Sequence, residues 1–367
     1  MAYWFEVHNV DELLTPTLLF YPERIAQNID LMIRIAGSAD RLRTHVKTHK
    51  CAEIVRMQID RGISKYKCAT LAEADMLGAC GAADVLVAYP QVGPALQKFV
   101  ELMATYPNTR FSMLIDHARP TELTSLGESL DLFIDLDVGM KRTGCVPENA
   151  PGIMQSIQEL GHRFRGWHAY DGHIHDKDKS QRANAVAQSV APVLELIDQT
   201  QTQSYELICG GSISFPIHAQ DPDRQLSPGT TLLWDHGYGH QYTDLPFLIG
   251  ATVLTRVISK PGIGQLCFDL GHKALSAEMQ AAPAHFPQIP DAKFETHSEE
   301  HLVISTKDAQ AWEIGDLAYA FPYHICPTVA LHHQVAVIQS ARVSTFWPIV
   351  ARNRMYTMWP TSKRSND

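Results

Sequence analysis

Residues 43–50 read Arg43-Thr44-His45-Val46-Lys47-Thr48-His49-Lys50. As a strand this stretch places His45, Lys47 and His49 at i, i+2 and i+4, so that all three leave from one face. Three titratable groups on one face of a strand buried on both sides are costly unless they are hydrogen-bonded or form a site. A buried ammonium tends to lose its proton, and a neutral amine is the nucleophile that carbonyl chemistry needs. The same residues also read as a loop of solvated basic side chains, and the stretch alone leaves both readings open.

Working outward, residues 40–240 repeat one pattern: a short apolar or β-branched run, a polar turn, then a helix-like stretch. The runs fall at 42–48, 64–70, 84–90, 110–116, 130–137, 163–172, 205–211 and 230–235, with helices expected at Leu71–Gly78 and Ala185–Gln199. Eight such units in about 200 residues predict a closed parallel (β/α)8 barrel of the TIM type. An open dinucleotide-binding sheet would carry Gly-x-Gly-x-x-Gly after its first strand, whereas here the first strand ends in Lys47-Thr48-His49-Lys50.

Beyond residue 245 the helical pattern stops, and strands are expected at 247–259, 264–269, 301–306, 311–314, 334–339 and 342–348. The segment 15–20 is also strand-like. The expected organisation is therefore residues 1–20 joining a β domain, 21–245 as the barrel, and 246–367 as a C-terminal β-rich domain. A polar, frayed tail is expected at 361–367.

The chain has 367 residues and a formal charge of −9, which argues against nucleic acid as a partner, because counterion displacement needs a basic field. A small molecule is expected instead. No apolar run is long enough to span a bilayer and no leader pattern opens the chain, so a cytoplasmic protein is expected, with no membrane partner. The seven cysteines are odd in number and scattered, which is not a disulfide framework.

The string His45-Val-Lys47-Thr-His49-Lys-Cys51, followed by Lys65-Tyr-Lys-Cys-Ala-Thr-Leu-Ala-Glu-Ala74, resembles the lysine strand and second strand of the D-threonine aldolase and D-serine dehydratase group. That group belongs to the alanine-racemase-like, fold-type III enzymes that use pyridoxal 5'-phosphate (PLP). The resemblance implies that Lys47 carries the cofactor, and His49 shares its expected face as a catalytic candidate. Asp137-Val-Gly-Met-Lys-Arg142-Thr-Gly144 is similar to the segment whose arginine approaches the PLP phenolic oxygen. Ala169-Tyr170-Asp-Gly-His173 is similar to the strand whose tyrosine lies beside the pyridine ring. Gly210-Gly211-Ser212 and Tyr238-Gly239 look like its phosphate-binding elements, and Phe268–Lys273 resembles a strand of its second domain. A glycine pair after a seventh barrel strand also suits a phosphate on physical grounds, although Gly-Gly equally marks an ordinary turn.

Pro322-Tyr-His324-Ile-Cys326-Pro327 supplies a second signal. In an extended segment His324 and Cys326 face the same way, and an imidazole beside a thiolate suits Zn²⁺ in an open site. A buried cysteine beside a strand histidine is the plainer alternative. The resemblance favours metal, since the group has a metal pair here, His-x-Asp in the aldolases and His-x-Cys in the dehydratase branch. His297, His301, His332 and His333 are expected to be surface or structural.

By this resemblance the chain is a PLP- and metal-dependent lyase acting on β-hydroxy D-amino acids, with dehydration and Cα–Cβ cleavage nearly balanced. A homodimer is also implied. An amino-acid racemase of the same fold and a non-catalytic PLP-binding protein are the alternatives. Arg43-Thr44-His45 departs from the group's common Arg-Pro-His, and His173 and His175 occupy a loop able to shape the substrate side chain.

Overall fold

The computed structural model describes residues 3–10, 13–124, 129–278 and 282–354. After strand β1 (Thr17–Phe20), eight parallel strands pair in sequential order: β2 (Arg43–His45), β3 (Lys65–Cys68), β4 (Asp84–Val87), β5 (Arg110–Ile115), β6 (Asp131–Leu136), β7 (Arg163–Ala169), β8 (Glu206–Cys209) and β9 (Arg224–Leu226). A parallel bridge between Leu42 and Leu226 closes the barrel. Helices cover its outer face, and their ends follow local chemistry. Pro22–Ala36 starts on a proline and stops at Gly37, whose φ of +82° needs no Cβ. Leu71–Ala79 begins with a capping box: the Thr70 side chain accepts from Glu73 N–H, and Glu73 Oε2 accepts from Ala69 N–H. The expected helix at 185–199 spans Lys179–Thr200 instead, because Asp178 caps a polar first turn that has no apolar periodicity.

The barrel interior is stratified. At the bottom, Arg43 and Arg165 share the carboxylates of Asp84 and Glu206, with Arg43 Nη1 at 2.5 Å from Asp84 and Arg165 Nη2 at 2.8 Å from it. Burial raises the Asp84 pKa, but the two guanidiniums outweigh it and hold the carboxyl down at about 2. Above lies an apolar plug of Leu86, Leu114, Phe133 and Ile208. Both guanidiniums lie over the Phe133 ring, at 5.7 and 5.0 Å from its centroid. Above the plug, Lys67, Asp135 and His168 form the top layer.

The second sheet contains β10 (Ala251–Ser259), β11 (Gln265–Phe268), β12 (Ala284–His285), β13 (Lys293–His297), β14 (Leu302–Ser305), β15 (Leu317–Pro322), β16 (Gln334–Gln339) and β17 (Arg342–Pro348). β1 lies inside it, antiparallel to β10 and parallel to β16. The N-terminal strand is therefore part of the C-terminal sheet. Among the described residues no helix is long and apolar enough to cross a membrane.

Three expectations are corrected. The eighth barrel strand is β9, not 230–235. Thr230–Leu232 is a single 3₁₀ turn, entered at Gly229, where a Cβ would lie 2.9 Å from the His45 carbonyl oxygen. Residues 311–314 are not a strand either. A 3₁₀ turn at Ala309–Ala311 precedes β15, which pairs with β10. Finally, the first barrel strand does not run to Thr48 but ends at His45, and residues 46–49 turn, closed by Lys50 N–H to Val46 C=O at 2.9 Å. The tail at 361–367 lies outside the described residues.

Replacing Arg43 with Met strips the partly buried carboxylates of Asp84 and Glu206 of one cation, and equilibrium urea unfolding is expected to show a loss of about 2 kcal/mol at neutral pH. Because the Asp84 pKa is depressed in the fold, its contribution is present above about pH 4 and is lost as pH falls toward about 2. The variant is expected to lose much of that acid dependence.

Candidate active site

At the C-terminal ends of the barrel strands a cavity of about 470 Å³ opens between the barrel and the second sheet. Lys47 reaches it from the turn after β2, where its N–H donates to His45 Nδ1 at 3.3 Å. Tyr170 follows β7, and three cations surround its ring: Lys47 Nζ at 5.7 Å from the centroid, Lys67 Nζ at 5.4 Å and the Arg142 guanidinium carbon at 5.5 Å. The lining carries Lys47, Lys50, Lys67 and Arg142 against one carboxylate, Glu278. Such a lining favours an anionic ligand. Lys50 is itself held by the capping-box residue Glu73, whose side chain is fully buried.

Opposite the lysines, Gly211, Ser212, Gly229, Thr230 and Tyr238 form a wall of hydroxyls and bare backbone. Ser212 Oγ accepts from Gly229 N–H at 3.3 Å and Thr230 N–H at 2.9 Å, tying the loop after β8 to the loop after β9. A Cβ on Gly211 would come within 3.1 Å of the Tyr170 ring. The implied PLP is an anionic, flat group needing a lysine, a phosphate cradle and a ring neighbour. The residues present fit it: Lys47, then Gly211, Ser212 and Tyr238, then Tyr170 and Arg142.

His324 and Cys326 line the same cavity, though not from an extended segment. β15 ends at Pro322, and the helix Ile325–Leu331 begins with His324 as its N-cap. Cys326 Sγ lies 3.2 Å from Thr48 Oγ1 and 3.3 Å from Thr230 Oγ1, so the second domain touches the barrel on either side of its closure. Buried Asp235 accepts from Ile325 N–H at 3.1 Å and from Tyr238 N–H at 2.8 Å, fixing the residue between the pair. Burial alone would depress His324, but Cys326 and Glu278 outweigh it and raise its pKa to about 9. Burial alone would raise the Cys326 thiol, yet His324 and the two threonines bring it below the usual value. A thiol inclined toward thiolate beside an imidazole fits a soft divalent cation such as Zn²⁺. Among the described residues no three His, Cys, Asp or Glu side chains converge to hold a metal.

Two expected site residues do not reach the cavity. His49 is fully buried in the turn, where its Nδ1 meets the Cys51 backbone N–H at 3.2 Å. Burial depresses its pKa to about 3, making it a neutral structural group. The i+4 spacing fails because the strand has already ended. Gly210 stands behind the lining, and its φ of +80° turns the chain so that Gly211 and Ser212 face inward. His173 lines a separate shallow cleft with Val138, and His175 does not line the cavity. The sequence reading passed over Lys67, His168 and Asp235. Lysine and histidine in the middle of buried parallel strands were the available signal for the first two.

The family described as "Alanine racemase, N-terminal domain" matches residues 22–232, and the "Putative serine dehydratase domain" matches residues 250–338. The chain is 29% identical to the D-threonine aldolase of an Arthrobacter species, over 92% of each chain. It is 25% identical to the 3-hydroxy-D-aspartate aldolase of Paracoccus denitrificans (strain Pd 1222), over 94% of each. The fold matches the D-threonine aldolase of Filomicrobium marinum at a TM-score of 0.85 and 24% identity, covering 95% of this chain and 98% of that one. It matches the D-threo-3-hydroxyaspartate dehydratase of Delftia sp. HT23 at 0.79 and 19%, covering 94% and 99%. With its barrel matched end to end, the chain belongs to the alanine racemase N-terminal domain family, in the branch that pairs this barrel with a serine dehydratase domain.

Proposed function

We propose that this protein is a PLP- and metal-dependent lyase that acts on β-hydroxy D-amino acids. The observation that carries this reading is the presence in one cavity of Lys47, at the end of the first barrel strand, and of the His324–Cys326 pair from the second domain. The names of the relatives, aldolases and a dehydratase of D-threonine and 3-hydroxy-D-aspartate, support the substrate class.

Lys47 would be the amine that holds the cofactor, and its Nζ would be placed to take the Cα proton of a bound substrate. Gly211, Ser212 and Tyr238 hold the phosphate, Tyr170 packs beside the ring, and Arg142 supplies a charge-assisted hydrogen bond to an anionic oxygen. When bound, PLP supplies an electron sink for negative charge developing at Cα. His324 and Cys326 would hold a divalent metal, taken as Zn²⁺, which would supply Lewis-acid chemistry toward the substrate's side-chain oxygen. Leaving of that oxygen gives a 2-oxo acid and ammonia, whereas loss of its proton with Cα–Cβ cleavage gives glycine and an aldehyde. A pair of chains in solution is part of this reading.

PLP-loaded protein given D-serine, D-threonine or D-3-hydroxyaspartate is expected to form 2-oxo acid or glycine, lost on EDTA treatment and restored by Zn²⁺. Metal-independent turnover, or none on any of the three, sinks the reading. Lys47→Ala is expected to lower kcat at least about a thousandfold. Asp235→Ala removes the acceptor that fixes Ile325 between the metal ligands. Titration with a competing chelator is expected to show Zn²⁺ held about tenfold more weakly, and unchanged affinity would remove Asp235 from the supporting structure.

A further inference from the structure

Lys67 is only 3% exposed, yet it lines the cavity from the middle of β3, one strand away from the strand that leads to Lys47. Its Nζ lies 3.1 Å from His168 Nε2. His168 Nδ1 lies 2.6 Å from Asp135 Oδ1, and Thr143 Oγ1 donates to Asp135 Oδ2 at 2.8 Å. These contacts fix the protons. Burial raises the Asp135 pKa, but His168 and Thr143 bring it below the ordinary carboxylate value, so Asp135 is a carboxylate accepting from His168 Nδ1–H. Burial and Lys67 together depress His168, which is neutral and presents its Nε2 lone pair to Lys67. One Lys67 N–H is thereby spoken for. No other hydrogen bond to Lys67 Nζ is present among the described residues, and the rest of the amine faces the cavity.

The charges around Lys67 come from every wall. Lys47 and Arg142 share the Tyr170 ring with it, neutral His45 stands beside it on β2, Asp135 and Asp171 attract it, and Arg43 lies two layers below. Burial first, then the neighbouring Lys47, pushes its pKa down to about 7. At neutral pH such an amine both gives and takes a proton, and its affinity for one depends on the charge of Lys47.

We propose that Lys67 is the acid–base partner of Lys47, with His168 and Asp135 as its positioning residues. This rests on Lys47 being the carbonyl-capturing lysine. A lysine ammonium must shed a proton before it attacks a carbonyl, and Lys67 Nζ receives that proton. As the C–N bond forms, the Lys47 nitrogen passes a second proton to the carbonyl oxygen, and as the C–O bond breaks Lys67 returns its own proton to that oxygen, which leaves as water. No proton is gained or lost overall. Release of Lys47 runs the same exchange in reverse.

The test is the attachment of PLP to the cofactor-free, full-length protein, followed by rapid-mixing absorbance across about pH 6 to 9. Each sample is then reduced with borohydride and mapped by mass spectrometry. Wild type is expected to show a bend in rate near pH 7, with the label on Lys47. Lys67→Met is expected to lose the bend and to attach PLP more slowly at pH 7 by on the order of a hundredfold. Lys67→Gln, which keeps a donor for His168 and so guards against a folding defect, is expected to behave the same way. Lys67→Arg is expected not to restore the rate, because a guanidinium does not release its proton, and Asp135→Asn to move the bend. Wild-type rates and pH profile in Lys67→Met and Lys67→Gln, or full rescue by Lys67→Arg, overturn the proposal while a label on Lys47 leaves the lyase reading standing. A label on Lys67, or on no lysine, overturns both.

Discussion

A charged side chain inside a closed barrel of parallel strands has nowhere to find water, and this chain points several of them inward. The arrangement of the interior follows from that constraint. Arg43 and Arg165 at the bottom are matched by Asp84 and Glu206, so four charges neutralise one another beneath the apolar plug of Leu86, Leu114, Phe133 and Ile208. Above the plug the matching is deliberately incomplete: Asp135 is answered by His168, but Lys67 is left with one protein partner and an open side toward the cavity. The bottom layer holds the barrel together, and the top layer leaves charge available to a ligand.

The cavity needs both domains because no single element supplies its chemistry. The barrel contributes amines and the hydroxyl wall, and the second domain contributes the imidazole and thiol. Cys326 joins the two, since its sulfur meets Thr48 next to Lys47 and Thr230 next to the hydroxyl wall. Asp235 reinforces the joint by capping a barrel-side helix with one carboxylate oxygen and holding the Ile325 amide with the other. A displacement of the second domain would therefore disturb the ligand pair, the lysine turn and the cradle together.

The barrel was legible in the sequence because cadence and local chemistry agreed, and most of the residues singled out as site candidates meet in space. Lys47, Arg142, Tyr170, Gly211, Ser212, Tyr238, His324 and Cys326 all line one cavity. The errors have physical causes. Arg224–Leu226 is too short and polar to register as a strand, whereas the apolar run after Gly229 looks like one but is pressed into a turn against His45. The period-2 argument placed His49 beside Lys47, and a turn that begins at Val46 cancelled it. For His324 and Cys326 the local geometry was misjudged but the destination was right: His324 is the extended N-cap of a helix rather than part of a strand, and both side chains still line the cavity. Lys67 carried one signal, a lysine in the middle of a buried strand, but nothing in spacing announces that its partner His168 arrives from the far side of the barrel.

The placement of β1 has a consequence for how the chain is made. Its partners β10 and β16 lie more than 200 residues downstream, so a strand that leaves the ribosome before the whole barrel finds its neighbours only after the barrel has emerged. All of β2 to β9 emerges and can close in the meantime, which lets the barrel collapse early while β1 waits as an unpaired edge. The helix Ile325–Leu331 follows both β1 and the barrel strands in the chain. The nascent protein thus acquires Lys47 before it acquires His324 and Cys326, which complete the lining of the lysine's cavity.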